Sequence, residues 1–161
     1  MVRYAFHRTH TKNIASILVS GIISMMSKGF TFPTTEMSPS EYEKHSKRLH
    51  LSGFKFRIPA LADVLKDNQW QARRDYYEAR RRFASTFVTI GGVDHQWQVK
   101  NGATVMIDLD LLPYDMDMSR DYYCNESAMI IDGDIPVEAV VQVVSDLWMI
   151  ENGFSVCTIW E

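Results

Sequence analysis

The hydrophobic pattern changes at Ser85, and this change constrains the fold more than any other feature of the chain. Five later segments alternate in polarity or run as short apolar stretches rich in β-branched residues, which is typical of strands. Asn152-Gly153, between the last two segments, predicts a tight hairpin. The predicted strands are 85–90 (STFVTI), 103–111 (ATVMIDLDL), 127–132 (SAMIID), 139–150 (AVVQVVSDLWMI) and 154–160 (FSVCTIW).

A strand and a helix are predicted at the start of the chain. Residues 3–8 (RYAFHR) alternate like a strand and carry aromatic side chains suited to a sheet. Thr11 is placed to cap a helix over residues 12–20. Gly21 is expected to end that helix, because glycine adopts the left-handed conformation common at helix ends.

The middle of the chain predicts further helices. Ser38, Pro39 and Glu41 form a helix-start pattern, with a capping hydroxyl, a proline in the first turn and an acid three residues after the cap. Residues 59–83 are helical in pattern, with a break near Asp67-Asn68. The expected class is therefore α+β: one strand, a helical region in the N-terminal half, and a mainly antiparallel sheet.

Composition favours one soluble domain over residues 1–161. Hydrophobic residues make up 46% and charged residues 23% of the chain, and the net charge of −3 argues against a wholly basic nucleic-acid binder. Cys124 and Cys157 fit neither a disulfide framework nor a zinc site, so we expect a reducing, cytoplasmic location. The sequence contains no apolar run long enough to span a membrane, so we expect no association with a membrane. His45 and His50 lack ligand spacing, and no metal site is predicted.

Polar, titratable side chains crowd the predicted junction between the first strand and the first helix, in YAFHRTHTKN. His7 and Thr9 share one face of the strand, because side chains alternate along it. The alternative is a satisfied core histidine and a capping threonine, with His10 on the surface. Glu126 directly precedes an apolar strand; a solvated acid at a strand end is its alternative interpretation. Asp108 and Asp110 alternate with apolar residues, which predicts the solvent-facing side of a strand.

Three segments resemble a known enzyme family. FHRTHTKNIASILVSGI resembles the opening of DarT-type ADP-ribosyltransferases, in which a His-x-Thr-His strand precedes an Asn-Leu/Ile helix. NESAMIIDGDIPVEAVVQVV is similar to their C-terminal segment, where a glutamate begins a strand that an Ile-Pro turn follows. STFVTI is similar to the middle strand of the wider ADP-ribosyltransferase superfamily. The matches cover about a third of the chain and leave residues 23–84 unaligned.

The resemblance implies a split β-sheet with NAD, as a substrate, in a central cleft. It implies that Glu126 is catalytic, because a fixed carboxylate would stabilise the oxocarbenium-like ribose as nicotinamide leaves. His7 would also be catalytic, as a hydrogen-bond donor and positioner. The residues implied to hold NAD are His7, Thr9, His10, Asn13, Phe87 and Thr89.

The implied activity is mono-ADP-ribosyl transfer to a macromolecular target by a bacterial or phage toxin or effector. Arginine-modifying members carry a second acid two residues before the catalytic glutamate, and Cys124 stands there instead. Arginine is therefore a disfavoured acceptor. The alternatives are a non-catalytic binding or inhibitor domain on the same fold and an RNA 2′-phosphotransferase-like enzyme.

The target is expected to be nucleic acid or protein. QARRDYYEARRRF contains Arg73 and Arg74 among aromatic rings, a combination that can hold a phosphate backbone and stack on bases. A solvated helix face is the alternative. Tyr122 and Tyr123 end the segment before Glu126, where superfamily members recognise their substrate. These four residues are the predicted substrate-binding residues.

Overall fold

The computed structural model describes residues 3–93, 102–120 and 128–156. The chain divides into two compact units. The sheet unit consists of Met1–Ile23 and Thr86–Glu161, and the helical unit consists of Ser24–Ser85. The helical unit is therefore an insertion in the sequence of the sheet unit. One domain over residues 1–161 stays a prediction.

The described residues contain eight strands. They are β1 (Tyr4–His10), β2 (Ser85–Thr89), β3 (Gly92–Val93), β4 (Gly102–Asp108), β5 (Met118–Arg120), β6 (Ala128–Asp132), β7 (Val140–Val144) and β8 (Ser155–Val156). Six form one sheet in the order β5-β6-β2-β1-β4-β7, and β3 pairs with β8 in parallel. The β1–β2, β1–β4, β4–β7 and β5–β6 pairs are antiparallel. The predicted α+β class is confirmed.

The described residues also contain five α-helices. They are α1 (Ile14–Ser20), α2 (Pro39–Leu51), α3 (Leu61–Leu65), α4 (Trp70–Phe83) and α5 (Asp146–Glu151). The sheet unit contains α1 and α5, and the helical unit contains the other three. Within the described ranges, no helix has the length and apolar character needed to cross a membrane.

The central strand β1 is buried on both faces of the sheet, because its alternate residues join different hydrophobic clusters. Ala5 packs in the cluster that includes Ile17 of α1, and we call this side the α1 face. Phe6 packs in the cluster that includes Met149 of α5, on the side we call the α5 face. Ala5, Phe6 and Met149 are fully buried, so both helices cover core rather than solvated sheet.

Aromatic residues dominate the core of the helical unit. Phe32 lies between Tyr76 and Phe83, with 5.4 Å from its ring centroid to each of theirs. The Tyr76 hydroxyl donates to the carbonyl oxygen of Pro33 at 2.9 Å, which satisfies the polar end of a buried ring. Tyr42 donates similarly to a proline carbonyl, and burial raises its pKa to about 12. Neither hydroxyl titrates near neutral pH.

Three local predictions are confirmed. Ser38 Oγ accepts a hydrogen bond from the Glu41 amide at 3.3 Å at the start of α2. The break near Asp67-Asn68 separates α3 from α4. Gly21 ends α1 with φ of +76°, and a Cβ there would collide with the carbonyl oxygen of Ile135. Only glycine meets both demands without strain.

The predicted Thr11 cap is wrong. Residues Thr11–Asn13 form a 3₁₀ turn, and α1 begins at Ile14 with Asn13 in the cap position. Asn13 makes no side-chain hydrogen bond to the first turn of α1. The Asn13 side-chain amide instead donates to Thr9 Oγ1 at 2.9 Å. This hydrogen bond links the 3₁₀ turn to the end of β1.

The predicted strand over 139–150 is wrong in its second half, and so is the Asn152-Gly153 hairpin. Ser145 Oγ accepts from the Trp148 amide at 3.0 Å, so it ends β7 and caps α5. Gly153 then has φ of +83°, and the Phe154 amide donates to a carbonyl of α5 at 2.9 Å. Asn-Gly ends a helix here, because this pair satisfies helix carbonyls as readily as it makes a hairpin.

The solvent-facing assignment of Asp108 is also wrong. Its side chain is 5% exposed, and Arg3 Nη2 donates to its Oδ2 at 2.9 Å. Asp108 Oδ1 also accepts from the Asp110 amide at 3.0 Å and begins a 3₁₀ turn, which ends β4 three residues before the predicted end. Asp110 itself is exposed, as predicted.

Acid is expected to remove the contribution of this ion pair to stability. The hydrogen bond from Arg3 lowers the pKa of Asp108 below its ordinary value. A lowered folded-state pKa contributes stability above the unfolded-state pKa, about 3.9, and that contribution is lost as the pH falls through the folded-state value. Urea unfolding between pH 5 and pH 2 should show a weaker loss of stability with falling pH for Arg3→Met than for wild type.

Lys47→Met is the matched control, because it removes a cation whose partner Glu43 is 70% exposed. Exposed pairs contribute little, so its pH dependence should follow wild type. Identical pH profiles for Arg3→Met and Lys47→Met would contradict the assignment.

Candidate functional site

The strand β1 lies between β4 and β2 in the central sheet. β1 pairs with β4 along all seven of its residues. On its other side, the described residues show one register pair with β2, Phe6 opposite Thr89. The interval between residues 7–10 of β1 and residues 85–88 of β2 is the β1–β2 seam.

The imidazole of His7 reaches across this seam. Its Nδ1 lies 2.8 Å from the carbonyl oxygen of Phe87 in β2. Because a carbonyl oxygen only accepts, Nδ1 carries the hydrogen in this contact. The neutral ring then presents Nε2 as an acceptor, and the protonated ring presents it as a second donor. The carbonyl of Phe87 thereby sets the orientation and the tautomer of a half-buried histidine.

Thr9 and Asn13 form the second part of the site. Thr9 is 8% exposed, and its hydroxyl accepts the hydrogen bond from the Asn13 side chain across four residues. This contact fixes the chain where β1 passes into α1. His10 is exposed and has the opposite strand parity from His7 and Thr9.

The remaining predicted NAD-binding residues lie on the other face of the sheet. Thr89 is directly opposite Phe6, so it shares the α5 face, and Phe87 has the same parity. Thr89 is 4% exposed, and its hydroxyl donates to the Phe6 carbonyl at 3.4 Å. His7 is opposite Val105, a member of the α1-face cluster. The structure thus brings together His7, Thr9 and Asn13, and Phe87 contributes its carbonyl.

The strand that follows Glu126 enters the sheet beside β2. Thr86 Oγ1 donates to the carbonyl oxygen of Gly133 at 3.0 Å, so the end of β6 lies beside the beginning of β2. These neighbouring strands therefore run in opposite directions, and β6 begins at the same end of the sheet as β1. Glu126, Tyr122 and Tyr123 lie outside the described residues, and their roles stay predictions.

Arg8 is a buried polar residue to which sequence reasoning assigned no role. Its side chain is 10% exposed on the α5 face. Nη1 donates to Thr104 Oγ1 at 2.9 Å and to Asp146 Oδ1 at 3.2 Å. Nε is buried, and the described part of the chain offers it no hydrogen-bond partner. Strand parity could have indicated this, because Arg8 shares a face with the fully buried Phe6.

The helical unit contains a cavity of about 460 Å³ beside α4. Arg73 lines it and is held in place, donating from Nε to the carbonyl of Val64 at 3.2 Å and from Nη2 to that of Lys66 at 3.0 Å. Tyr77 and Arg80 also line it and are exposed. Tyr76, the other tyrosine of this helix, belongs to the core.

The described residues contain no group of three or more His, Cys, Asp or Glu side chains that could hold a metal ion. The absence of a metal site in the whole chain stays a prediction.

Comparison with known proteins adds no relative. No family model, no curated protein and no solved structure matches this chain. The resemblance to DarT-type enzymes therefore rests on the three sequence segments.

Proposed function

We propose that this protein is a mono-ADP-ribosyltransferase on a split-sheet fold of the DarT type, which acts in the cytoplasm. NAD is its substrate, and ADP-ribose is transferred to a nucleic acid or protein, as a toxin or effector would do. The observation that carries the proposal is the His7 imidazole in the β1–β2 seam, held by the Phe87 carbonyl at 2.8 Å.

The seam supports NAD binding on physical grounds. A planar amide such as that of nicotinamide has one acceptor and two donors, which can form hydrogen bonds with backbone groups of a strand. His7 Nε2 then lies on the ligand side of a ring whose Nδ1 is already engaged. Nε2 can form a hydrogen bond with a ribose hydroxyl, as an acceptor from the neutral ring or as the predicted donor from the protonated ring.

The proposed chemistry needs one developing charge to be stabilised. The bond between ribose C1′ and the nicotinamide nitrogen breaks, and its electron pair neutralises the positive ring nitrogen. The Glu126 carboxylate stabilises the cationic C1′ centre. A nucleophile of the target attacks C1′ and loses its proton. Fixed charge at such a centre is usually the largest catalytic contribution.

Labelled NAD tests this proposal. The protein is incubated with NAD carrying label in its adenylate half and a cell lysate, and protein and nucleic acid are then separated. We expect label in one of the two fractions. Label in neither fraction, together with no rise in Tm at saturating NAD, would reject the proposed activity.

His7→Ala is expected to lower kcat/KM for NAD by about 10- to 100-fold. The substitution removes a hydrogen bond to substrate and leaves the Phe87 carbonyl without its side-chain donor, and such losses cost about 1–3 kcal/mol. His7→Gln, which retains a donor for that carbonyl, should recover thermal stability more than activity. Initial rates of nicotinamide release measure the effect.

His45→Ala is the control, because His45 lies on α2 of the helical unit. A rate for His7→Ala within twofold of that control would remove His7 from the site.

A further inference from the structure

The exposed surface of α4 contains a repeated arrangement of aromatic and cationic residues. Trp70 is followed three and four residues later by Arg73 and Arg74, and Tyr77 is followed at the same spacing by Arg80 and Arg81. Residues seven apart in a helix lie almost above one another, about 10.5 Å apart along the axis. The helix therefore presents the same aromatic–arginine–arginine group twice.

The aromatic rings of this arrangement are outside the core. Trp70 is 65% exposed and Tyr77 is 62% exposed, whereas Tyr76 on the same helix is 4% exposed. Tyr76 is thus buried in the hydrophobic core of the unit, whereas the rings of Trp70 and Tyr77 are mostly exposed to solvent. We call the repeated set Trp70, Arg73, Arg74, Tyr77, Arg80 and Arg81 the α4 surface.

The cavity beside α4 provides a concave space next to these charged residues. Arg73, Tyr77 and Arg80 line it, so one aromatic residue and two arginines border the same concave space. The contacts of Arg73 with the carbonyls of Val64 and Lys66 fix its guanidinium before any ligand binds. A preorganised cation loses less freedom on binding than a mobile one.

We propose that the α4 surface and its cavity bind single-stranded RNA. Exposed aromatic rings stack on unpaired bases, and arginines at a regular spacing neutralise successive phosphates. The overall charge of −3 gives no general attraction for polyanions, so binding is confined to this local surface.

One carboxylate in the cavity favours RNA over DNA. Glu36 lines the same space as Arg80 and Tyr77. A carboxylate only accepts hydrogen bonds and repels phosphate, so it selects a hydroxyl donor on the sugar. An internal ribose offers its 2′-hydroxyl, and an internal deoxyribose offers none. The hydroxyls of Thr34 and Thr35 line the same space and can exchange hydrogen bonds with this 2′-hydroxyl.

The length of α4 sets the size of the site. Fourteen residues at about 1.5 Å each give roughly 21 Å, which corresponds to about six nucleotides stacked at 3.4 Å. If the chain is the transferase proposed above, this surface would select RNA as the target. Binding is measured without NAD, so the two proposals fail separately.

Fluorescence anisotropy of labelled 12-nucleotide RNA with the full chain tests this inference. Affinity should fall with salt, with a slope of log K against log[salt] between about −1.4 and −2.8 for two to four phosphates. DNA of the same sequence should bind at least fivefold more weakly. Affinity should stop rising with oligonucleotide length near six nucleotides.

Four variants assign the binding to named residues. Tyr77→Ala and Arg80→Gln should each weaken RNA binding about tenfold. Glu36→Ala should reduce the preference for RNA, because it removes the acceptor for the 2′-hydroxyl. Arg57→Gln changes an exposed arginine of the same unit that neither belongs to α4 nor lines the cavity, and this variant should bind as wild type. Thermal melts confirm that each variant is folded.

Three outcomes would overturn the inference. They are the absence of RNA binding, equal binding of RNA and DNA, and equal weakening by Arg57→Gln and Arg80→Gln. Polyglutamate that binds as tightly as RNA would also overturn it, because carboxylates do not stack on Trp70 and Tyr77.

Discussion

Replacing Glu126 by glutamine is expected to lower the rate of ADP-ribosyl transfer from NAD by about 10²- to 10³-fold, or roughly 2.7–4 kcal/mol in the barrier. The substitution keeps the shape of the side chain and removes the charge that would stabilise the cationic C1′ centre. Single-turnover transfer of label from NAD measures the chemical step directly. KM for NAD should change much less than kcat, because the charge at C1′ develops only in the transition state.

Glu138→Gln is the matched control for this prediction. Glu138 is an exposed glutamate in the 3₁₀ turn Val137–Ala139, twelve residues after Glu126. NAD at a hundred times its Kd should still stabilise Glu126→Gln by about 2.7 kcal/mol, which shows that the pocket has formed. Transfer by folded, NAD-binding Glu126→Gln at the wild-type rate would exclude Glu126 as the catalytic carboxylate.

The largest loss of stability is expected from Phe6→Ala. Phe6 is fully buried in β1, and its ring lies 4.6 Å from that of Phe154 in an edge-on arrangement. Removing such a ring leaves a cavity and costs about 3–5 kcal/mol. For a chain of this size, the Tm should fall by roughly 6–20 °C. Differential scanning calorimetry measures this change and separates a transition of the sheet unit from one of the helical unit.

Tyr114→Ala removes an aromatic ring of similar size from a fully exposed position. Its Tm should stay within about 2 °C of wild type, because surface substitutions usually change stability by less than 0.5 kcal/mol. A Phe6→Ala variant as stable as Tyr114→Ala would mean that Phe6 is not part of the core.

The elements that were predicted correctly depend on short-range signals. The start of α2 is determined by a hydroxyl and an amide three residues apart, Ser38 and Glu41. The end of α1 depends on the backbone freedom of Gly21. The division between β7 and α5 was missed because VVQVV and DLWMI are both apolar, and the cap at Ser145 was the signal that separates them. The parallel pairing of β3 with β8 joins segments about sixty residues apart, and no local sequence pattern predicts it.

In the candidate site, too, short-range sequence signals predict only the local contacts. Thr9 and Asn13 are four residues apart, so their proximity follows from the strand-to-helix junction itself. The partner of His7 is a backbone carbonyl eighty residues away, and a carbonyl has no side-chain identity that a sequence could reveal. Asp108 was assigned to solvent because its alternation with apolar residues is visible, whereas its pairing with Arg3 depends on the register of β1 and β4.

The pairing of β1 with β4 has a consequence for how the protein is made. Tyr4 lies opposite Asp108, so about one hundred residues must be translated after β1 before β4 exists. At 5–20 residues per second, the ribosome needs roughly 5–20 s for this, far longer than a hairpin needs to form. The helical unit is complete in sequence at Ser85 and can fold during this interval. Until then the nascent first strand, with its apolar Ala5 and Phe6, lacks its longest pairing, and we expect a chaperone to bind this segment.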